Sequence, residues 1–272
     1  SNDSECLDDD GDECCWEYMF NPIIDYELEL HAGANLKSFY ALPEDISLAN
    51  MMYSLGDNVT AVITEGAATT QTASGSWVGS LTQITASKGY WTILDSDATL
   101  YTYNATLTDP DLVYYLNSGA NLISFPYNGS ADIGSALPDE IEGSISGLIT
   151  EGAAATQIAP GTWVGSLNSF SGGKGYWVIA DEGMSFSFDF NMLGRSNIAY
   201  KEEKLTGYEY VQSSKQAFYF VESVEGINDG DWILSFNDDV VIGARLWTSS
   251  IIDVPAMGSD DSDYTKGYIE TG

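Results

Sequence analysis

Apolar and polar residues alternate along much of the chain with the two-residue period of a β-strand. Residues 26–30, YELEL, place apolar side chains on one face and acidic side chains on the other, which predicts a strand with one face in water. Residues 112–116 are apolar on both faces and predict a more deeply covered strand. Further strands are predicted at residues 36–42, 59–64, 90–94, 100–103, 145–150, 176–180, 186–190, 217–221, 231–236 and 240–247.

Helical signals are scarce in this sequence. Asp45 is suited to cap one short helix that Gly56 ends, and the matching stretch before Pro138 has room for a still shorter one. Gly, Ser, Thr, Tyr, Val and Ile are abundant, as in proteins with many strands and turns. The sequence therefore predicts an all-β fold.

One pattern occurs twice in the chain. Residues 64–91 (TEGAATTQTASGSWVGSLTQITASKGYW) and residues 150–177 (TEGAAATQIAPGTWVGSLNSFSGGKGYW) align without a gap at an offset of about 86, and about 18 of the 28 paired positions are identical. The match extends weakly upstream, where GANL at residues 33–36 pairs with GANL at residues 119–122. Such self-similarity indicates a duplicated structural unit.

The repeat divides the chain into four parts. We predict two tandem homologous modules, each a small β-barrel or β-sandwich, at residues 21–108 (the first copy) and residues 109–194 (the second copy). Residues 195–272 have a different pattern of strands and turns and predict a third, β-sandwich-like domain that stops one or more strands short. Residues 1–20 form a separate acidic arm.

The acidic arm holds all the cysteines of the chain. A disulfide from Cys6 to either Cys14 or Cys15 would close an acidic loop and stabilise it by about 2–3 kcal/mol. One cysteine then remains, which in an exported protein predicts an intermolecular bond or a free thiol.

Two acidic clusters are candidates for Ca²⁺, because alternating carboxylates around a turn supply the oxygen ligands that this ion takes. Solvated turn acids are the alternative interpretation. The candidate ligands are Asp8, Asp10 and Asp12 in the arm, and Asp260, Asp261 and Asp263 near the end of the chain.

The charge balance restricts the partners. The chain carries 41 acidic and nine basic residues, a net charge of −32, which excludes nucleic acid and anionic membranes as default partners and favours cations or salt. No apolar run of about 18 residues is present, so no membrane span is predicted. A start at Ser1 without Met, and sequons at Asn2, Asn58, Asn104 and Asn128, lead us to expect a glycosylated extracellular or cell-surface protein.

Several residues that occur at equivalent positions of both copies are candidates for a functional role. Glu65 and Glu151 occupy the same Thr-Glu-Gly-Ala-Ala context, and a structural role is favoured over catalysis because catalysis rarely needs one acid per repeat. We expect each repeated lysine, Lys88 and Lys174, to pair with an acidic residue of its own copy, with Glu65 and Glu151 as the first candidates. The repeated tryptophans are expected to fill the cores, with stacking on sugar rings as the alternative; they are Trp77, Trp91, Trp163 and Trp177.

A resemblance covers residues 33–272. GANLISFP at residues 119–126, followed by KGYWV at residues 174–178, resembles a module repeated in large secreted surface proteins of environmental, often marine, bacteria, with Ala120 where the module usually has Trp. GDWI at residues 230–233, with VIGAR and VPAMG downstream, resembles a second module of the same proteins. The resemblance implies extracellular display and no particular chemistry.

No catalytic constellation stands out. His31 is the only histidine and lies in no nucleophile motif, so we do not expect an enzyme. We expect a structural subunit of an extracellular filament or appendage, a head-to-tail homopolymer in which a strand from residues 1–30 joins an open sheet edge of the next subunit. One alternative is a glycan-binding adhesin with a row of exposed aromatic side chains. The other is a hydrolase with two opposed carboxylates in a deep cleft.

Overall fold

The computed structural model describes residues 23–189, 205–248 and 251–270. The arm residues Asn2, Cys6, Asp8, Asp10, Asp12, Cys14 and Cys15 lie outside the described residues. The described chain is built from several antiparallel sheets with only short helices, which confirms the all-β class. None of these sheets closes into a barrel, so the barrel alternative is wrong.

The first copy is organised around a five-stranded sheet in the order β2-β7-β4-β5-β6, with a three-stranded sheet β1-β8-β3 beside it. A short helix, α1, follows a serine that caps it: the Ser47 hydroxyl oxygen accepts a hydrogen bond from the Asn50 N–H. The elements are β1 (Ile23–Leu30), β2 (Gly33–Lys37), β3 (Ala41–Leu42), α1 (Leu48–Met51), a 3-10 helix (Tyr53–Asn58), β4 (Val59–Thr64), β5 (Ala67–Ala73), β6 (Ser76–Gly79), β7 (Tyr90–Leu94) and β8 (Ala98–Leu107).

The second copy has a five-stranded sheet in the matching order β10-β16-β12-β13-β14, with two two-stranded sheets, β17-β9 and β11-β15. Its elements are β9 (Tyr114–Leu116), β10 (Gly119–Ile123), β11 (Ser130–Asp132), α2 (Ile133–Ala136), α3 (Asp139–Glu142), β12 (Ile145–Thr150), β13 (Ala153–Ala159), β14 (Thr162–Gly165), β15 (Ser169–Ser171), β16 (Tyr176–Ala180) and β17 (Met184–Phe186).

The two five-stranded sheets share their register as well as their strand order. Leu36 lies opposite Trp91 in the first sheet, and Leu122 lies opposite Trp177 in the second. Each sheet has its own apolar core: Phe39 and Tyr90 are fully buried in one, and their counterparts Phe125 and Tyr176 in the other. The repeated sequence therefore folds twice into the same sheet, since the same apolar positions face a core in both copies.

The C-terminal region, residues 205–270, contributes two strand pairs, β18-β21 and β19-β20. Its elements are β18 (Gln216–Val221), β19 (Trp232–Asn237), β20 (Val240–Leu246), β21 (Ile252–Met257) and a 3-10 helix (Asp263–Thr265). All six residues of β21 are buried. Within the described residues, no helix combines the length and the apolar composition needed to cross a bilayer.

Several details differ from the sequence-based expectations. Ser47 rather than Asp45 caps the first helix, and the strand expected over residues 186–190 is Met184–Phe186. The strand expected over residues 36–42 is interrupted, because β2 ends at Lys37 and β3 is a separate pair of residues. The strand expected over residues 112–116 is not covered on both faces, since Tyr115 is 80% exposed. Strand β21 was not expected, because its residues bury every side chain and show no alternation.

Candidate assembly surfaces

The two copies meet along a seam formed by equivalent parts of each. Backbone N–H groups of Ser38 and Ser124 donate to the carbonyl oxygens of Gly173 (3.0 Å) and Ser87 (3.2 Å) in the other copy. Between the sheets lies a small apolar cluster that includes Leu36, Trp91 and Leu122. Because each copy gives the other the same contacts, the seam has the geometry of a two-fold dimer interface within one chain.

The repeated glutamates hold this seam together. The Glu65 carboxylate accepts a hydrogen bond from the Leu122 N–H (3.0 Å), and the Glu151 carboxylate accepts one from the Leu36 N–H (2.9 Å). Each glutamate thus binds the edge of the opposite copy. Carboxylate–amide bonds of this kind are charge-assisted and stronger than neutral ones, so the structural interpretation of these residues has a specific geometric basis.

Glu151 has two cationic partners in the first copy. Its carboxylate lies 2.7 Å from His31 Nε2 and 3.9 Å from Lys37 Nζ. The other ring nitrogen of His31 lies 2.6 Å from the Ala32 carbonyl oxygen. A carbonyl oxygen and a carboxylate can only accept hydrogen bonds, so both ring nitrogens of His31 donate and the imidazolium form is favoured.

The pKa values of this pair move in the matching directions. Burial opposes the charged form of His31, but the hydrogen bond and the charge of Glu151 outweigh it and raise the pKa of the imidazole. Burial likewise opposes ionisation of Glu151, yet His31, Lys37 and the Leu36 N–H together lower the pKa of its carboxyl.

The contacts of Glu151 correct the expected pairing within each copy. The expected partner was the repeated lysine, but the cations that contact this carboxylate, His31 and Lys37, belong to the first copy. Lys88 and Lys174 lie at the seam through their backbones, where they form bridges to Ile123 and Lys37. Glu151 is thus paired across the seam, and the broader expectation that each repeated lysine pairs with an acidic residue of its own copy stays a prediction.

None of the repeated tryptophans is an exposed stacking surface. Trp91 is buried in the seam cluster and Trp177 packs against it, whereas Trp77 and Trp163 pack against the cores of their own copies. This agrees with the core-filling interpretation. The Trp163 indole N–H donates to the Glu142 carboxylate at 2.7 Å.

The C-terminal region binds the second copy through a buried carboxylate. Asp253, on β21, accepts hydrogen bonds from the N–H groups of Ala154 (3.0 Å) and Ser166 and from the Ser166 hydroxyl (2.9 Å). Its side chain is completely buried. A carboxylate with this many protein donors fixes one strand against another.

Arg245 and Gln216 complete this docking contact. The Arg245 guanidinium lies 3.0 Å from the Asp253 carboxylate and also donates to the Gly152 carbonyl oxygen. The Gln216 side-chain amide donates to the Thr150 carbonyl oxygen (3.0 Å) and accepts from the Gly152 N–H (3.4 Å). The contact therefore combines a buried ion pair with a polar clamp on the β12–β13 turn.

The same surface of the first copy is uncovered by the described residues. Ala154 and Gly152 are buried under the C-terminal region, but their counterparts Ala68 and Gly66 are exposed. Without a carboxylate from another region, the Ala68 N–H donates to the Ser80 hydroxyl of its own sheet (3.3 Å). Identical local sequence thus lies in two different environments.

A cavity of about 250 Å³ lies where the three regions meet. His31, Glu151, Tyr208, Gln212 and Trp232 are among its lining residues. Its carboxylates all have hydrogen-bond donors in the described part of the chain: Glu151 as above, Asp97 the Ala32 N–H, and Glu209 the Gly207 N–H. The absence of an enzymatic activity stays a prediction.

One outer edge of the first sheet is open. β6 is the terminal strand of that sheet, and no other strand of the described residues pairs with its far side. Val78 on this strand is 66% exposed. The equivalent strand β14 lies against β21 of the C-terminal region.

Exposed tyrosines cluster on a different face of the first copy. The rings of Tyr101 and Tyr103 lie nearly parallel, with centroids 6.2 Å apart and an interplanar angle of 10°. With the exposed Tyr53 they line a groove of about 820 Å³ that also contains Asp45 and Asn50. The adhesin alternative expected a row of exposed Trp and Tyr side chains without naming these tyrosines, although their i, i+2 spacing on a predicted strand was a signal.

The second calcium candidate has a different appearance in the structure. The Asp260 carboxylate accepts hydrogen bonds from Ser262, Thr265 and Ser214. Burial raises the pKa of Asp260, but these bonds outweigh burial and lower it. Asp261 and Asp263 are exposed, and among the described residues no group of three or more His, Cys, Asp or Glu side chains is suited to a metal. Calcium binding stays a prediction.

The described sequons differ in exposure. Asn104 and Asn128 are exposed. The Asn58 side chain is half-buried, donates to the Ser96 carbonyl oxygen (2.8 Å) and accepts from the Ser96 N–H. Asn104 and Asn128 are therefore the more accessible positions for a glycan.

Arg245 and Asp253 were also missed by sequence reasoning. Arg245 is one of two arginines in a strongly acidic chain, and Asp253 lies within an apolar run. A charged residue inside an apolar strand is a recognisable signal for a buried pair, but the sequence does not say which surface that pair faces.

The chain matches no known family model, no curated protein and no solved structure. The resemblance to modules of bacterial surface proteins stays a prediction.

Proposed function

We propose that this chain is a structural subunit of an extracellular filament or surface appendage. In this proposal it consists of two copies of one β module, a third β-sandwich-like domain and an acidic, cysteine-containing N-terminal arm. The open edge of β6 carries the proposal, because an unpaired strand edge is a template for a strand from another molecule.

Two further features support an assembly role. The chain already docks its own β regions side by side, through the seam and through the Asp253 contact. Its seven described sheets are held by backbone pairing, so strand addition continues a mode of contact that the fold uses throughout. A heterologous contact of this kind propagates into a fibre.

The donated strand is proposed to come from the N-terminal arm. Residues 23–30 are already paired with β8 within the same chain. The strand that joins β6 of the next subunit is therefore assigned to residues 1–22. The odd cysteine of the arm would lock this joint as a disulfide between subunits.

Deletion of residues 1–20 tests this mechanism. The deleted protein is expected to stay folded by circular dichroism and monomeric by sedimentation, under conditions in which the full chain forms fibres visible by electron microscopy. Fibres from the deleted protein would contradict the arm mechanism. Assembly of the full chain should weaken in EDTA at low salt, because every subunit is a polyanion.

The β6 edge is tested by Val78→Lys, which places a charge on the edge strand. The control is Ile158→Lys, at a bulge of the inner strand β13 and away from the β6 edge, where Ile158 is 57% exposed compared with 66% for Val78. Val78→Lys is expected to shorten or abolish fibres, and Ile158→Lys to leave them intact. Equal effects would mean that β6 is not the acceptor edge.

A second candidate function is glycan binding, which the tyrosine groove favours. Aromatic rings on an exposed face, beside polar side chains such as Asp45 and Asn50, suit the apolar faces and hydroxyls of sugar rings. Tyr101→Ala combined with Tyr103→Ala is expected to abolish binding on a glycan array, and the control Tyr115→Ala removes an exposed tyrosine of the second copy. No binding by the unmodified chain would exclude this candidate.

A further inference from the structure

The footprint of the C-terminal region, meaning the set of residues that it contacts, has an equivalent set of residues elsewhere on the molecule. Its contacts with the second copy involve Thr150, Gly152, Ala154 and Ser166. The residues about 86 positions earlier are of the same four types; they are Thr64, Gly66, Ala68 and Ser80. The complete set of donors and acceptors that holds Asp253, Arg245 and Gln216 is therefore present twice.

The footprint also extends across the seam, and that part is duplicated as well. The Tyr264 hydroxyl of the C-terminal region donates to the Asp95 carbonyl oxygen (2.6 Å), and Val211 lies against Gly33. The equivalent residues of the second copy are Asp181 and Gly119. The seam gives each copy equivalent contacts with the other. Asp181 and Gly119 therefore lie beside the first-copy surface in the same way that Asp95 and Gly33 lie beside the second-copy surface.

The equivalent set of residues on the first copy is not covered by the described residues. A Cβ added to Gly152 would lie 2.5 Å from the Gln212 side chain, whereas one added to Gly66 meets nothing within 4 Å. A Cβ on Gly33 would lie 3.2 Å from Val211, and one on Gly119 again meets nothing. Ala34 is buried, but its counterpart Ala120 is exposed.

We propose that the first copy carries a second docking site, at Thr64, Gly66, Ala68 and Ser80, for a partner β domain that presents an aspartate beside an arginine, as Asp253 and Arg245 do. The aspartate would accept from the Ala68 and Ser80 N–H groups, in exchange for the bonds that these donate in the uncovered site to the Ser80 hydroxyl (3.3 Å) and the Ala68 carbonyl oxygen (2.9 Å). The arginine would donate to the Gly66 carbonyl oxygen. This site adjoins β6, since the equivalent strand β14 lies against β21 in the occupied copy, but it requires neither a fibre nor the N-terminal arm.

The chemistry of the occupant follows from the occupied site. Two backbone N–H groups and a hydroxyl that converge on one point favour a carboxylate, and the carbonyl oxygen beside them favours a guanidinium. A carboxylate alone would bring more negative charge to a chain of net charge −32, so the paired arginine is part of the recognition.

The probe for this site is the C-terminal region of a second molecule, released from its own second copy. Ser166→Asp places a carboxylate against Asp253 and expels it by like-charge repulsion. The variant is passed over immobilised full chain, whose second-copy site is filled and whose first-copy site is open. The concentration is kept below that at which the full chain self-assembles in sedimentation. Ser80→Asp on the immobilised chain is the matched control.

Binding of the Ser166→Asp variant to the full chain is expected, at least about tenfold weaker when the immobilised chain carries Ser80→Asp. Equal binding to both chains, or no binding when amide exchange shows that the C-terminal region has been released, would overturn the proposal. Binding that appears only after residues 1–20 are deleted from the immobilised chain would assign the site to the arm and also overturn it.

A second variant covers the case in which Ser166→Asp does not fold or does not release the region. Gly152→Ala places its Cβ against Gln212 without adding charge, and Gly66→Ala introduces the same backbone change where no neighbour lies within 4 Å. Gly152→Ala is expected to bind the immobilised full chain and Gly66→Ala is not. If both or neither bind, the proposal fails. Deletion of residues 1–20 is expected to abolish fibres and to leave this binding unchanged, so failure of the docking site and failure of the filament proposal are distinguishable.

Discussion

The two copies have the same sheet and the same repeated glutamate, yet the two ends of their seam differ. Glu151 is contacted by His31 and Lys37 in addition to the Leu36 N–H. The positions that match His31 and Lys37 in the second copy are Asn117 and Ile123, so Glu65 has the Leu122 N–H but neither of these cations. The end with the cations is also the end that the C-terminal region covers.

This difference makes the two ends of the seam inequivalent, although both are built from the same repeated sequence. A two-fold seam by itself offers two equivalent faces, and a third region that fits one face fits the other equally. Two substitutions at the seam place positive charge at one end, where burial of Glu151 requires it. In our proposal, the first copy, whose equivalent residues are not covered by the described residues, is the one available to partners.

The largest expected effect comes from uncovering the second copy. Arg245→Met leaves Asp253 buried without its cation and is expected to lower the free energy of unfolding by about 3–5 kcal/mol in urea denaturation. The amide of Ala154 should then exchange as fast as that of Ala68. The control Lys266→Met removes an exposed cation of the same region. A cost no larger than that of the control would mean that the ion pair does not hold the region in place.

A smaller effect is expected when the two seam glutamates are neutralised separately. Glu151→Gln loses the charge that holds His31 and Lys37 and should lower the free energy of unfolding by about 1–3 kcal/mol. Glu65→Gln keeps an oxygen that accepts from the Leu122 N–H, so its cost should stay under about 1 kcal/mol. Equal costs would show that the cations at one end of the seam do not distinguish it from the other.

The smallest effect is a pH dependence confined to one end of the seam. The pKa of His31 is raised above its ordinary 6.5, so its stabilisation is fully present below about pH 6.5 and is lost as the pH rises through the raised pKa. The pKa of Glu151 is lowered below its ordinary 4.5, so its stabilisation is present above about pH 4.5 and is lost as the pH falls through the lowered pKa.

Because the His31 side chain is 40% exposed, solvent screens the pair, and the change above pH 6.5 should be about 0.5 kcal/mol. His31→Asn, which copies the residue of the second copy, should remove this alkaline slope from urea-denaturation curves measured between about pH 5 and pH 9. An unchanged slope would place the titrating group elsewhere.

Four strands of the repeat were predictable from the sequence residue by residue, whereas β5 and β13 were not predicted. Predictions for residues 59–64, 90–94, 145–150 and 176–180 coincide with β4, β7, β12 and β16. Alternation and turn residues are local signals, and a sheet buried against a core preserves them. Strand β21 was missed because Asp253 and Pro255 interrupt its apolar run and all of its side chains are buried, so no alternation remains.

The candidate surfaces were much less predictable. The Glu151–Leu36 bond joins residues 115 positions apart, and the Asp253–Ala154 bond joins residues 99 apart. Sequence spacing carries no information on such pairs, and a search for partners near each glutamate led to the lysine of the same copy. The tyrosine groove was likewise formed by a strand and a helix that only the fold brings together.

The sequence by itself determined the all-β class, the repeat and the positions of most strands, because these follow from periodicity and turn chemistry within short windows. Only the tertiary structure decided that Gly152 is buried while Gly66 is exposed, and that Glu151 rather than Glu65 has cationic partners. The same five residues, Thr-Glu-Gly-Ala-Ala, begin both stretches, so their different environments arise from contacts with distant parts of the chain, which no local pattern encodes.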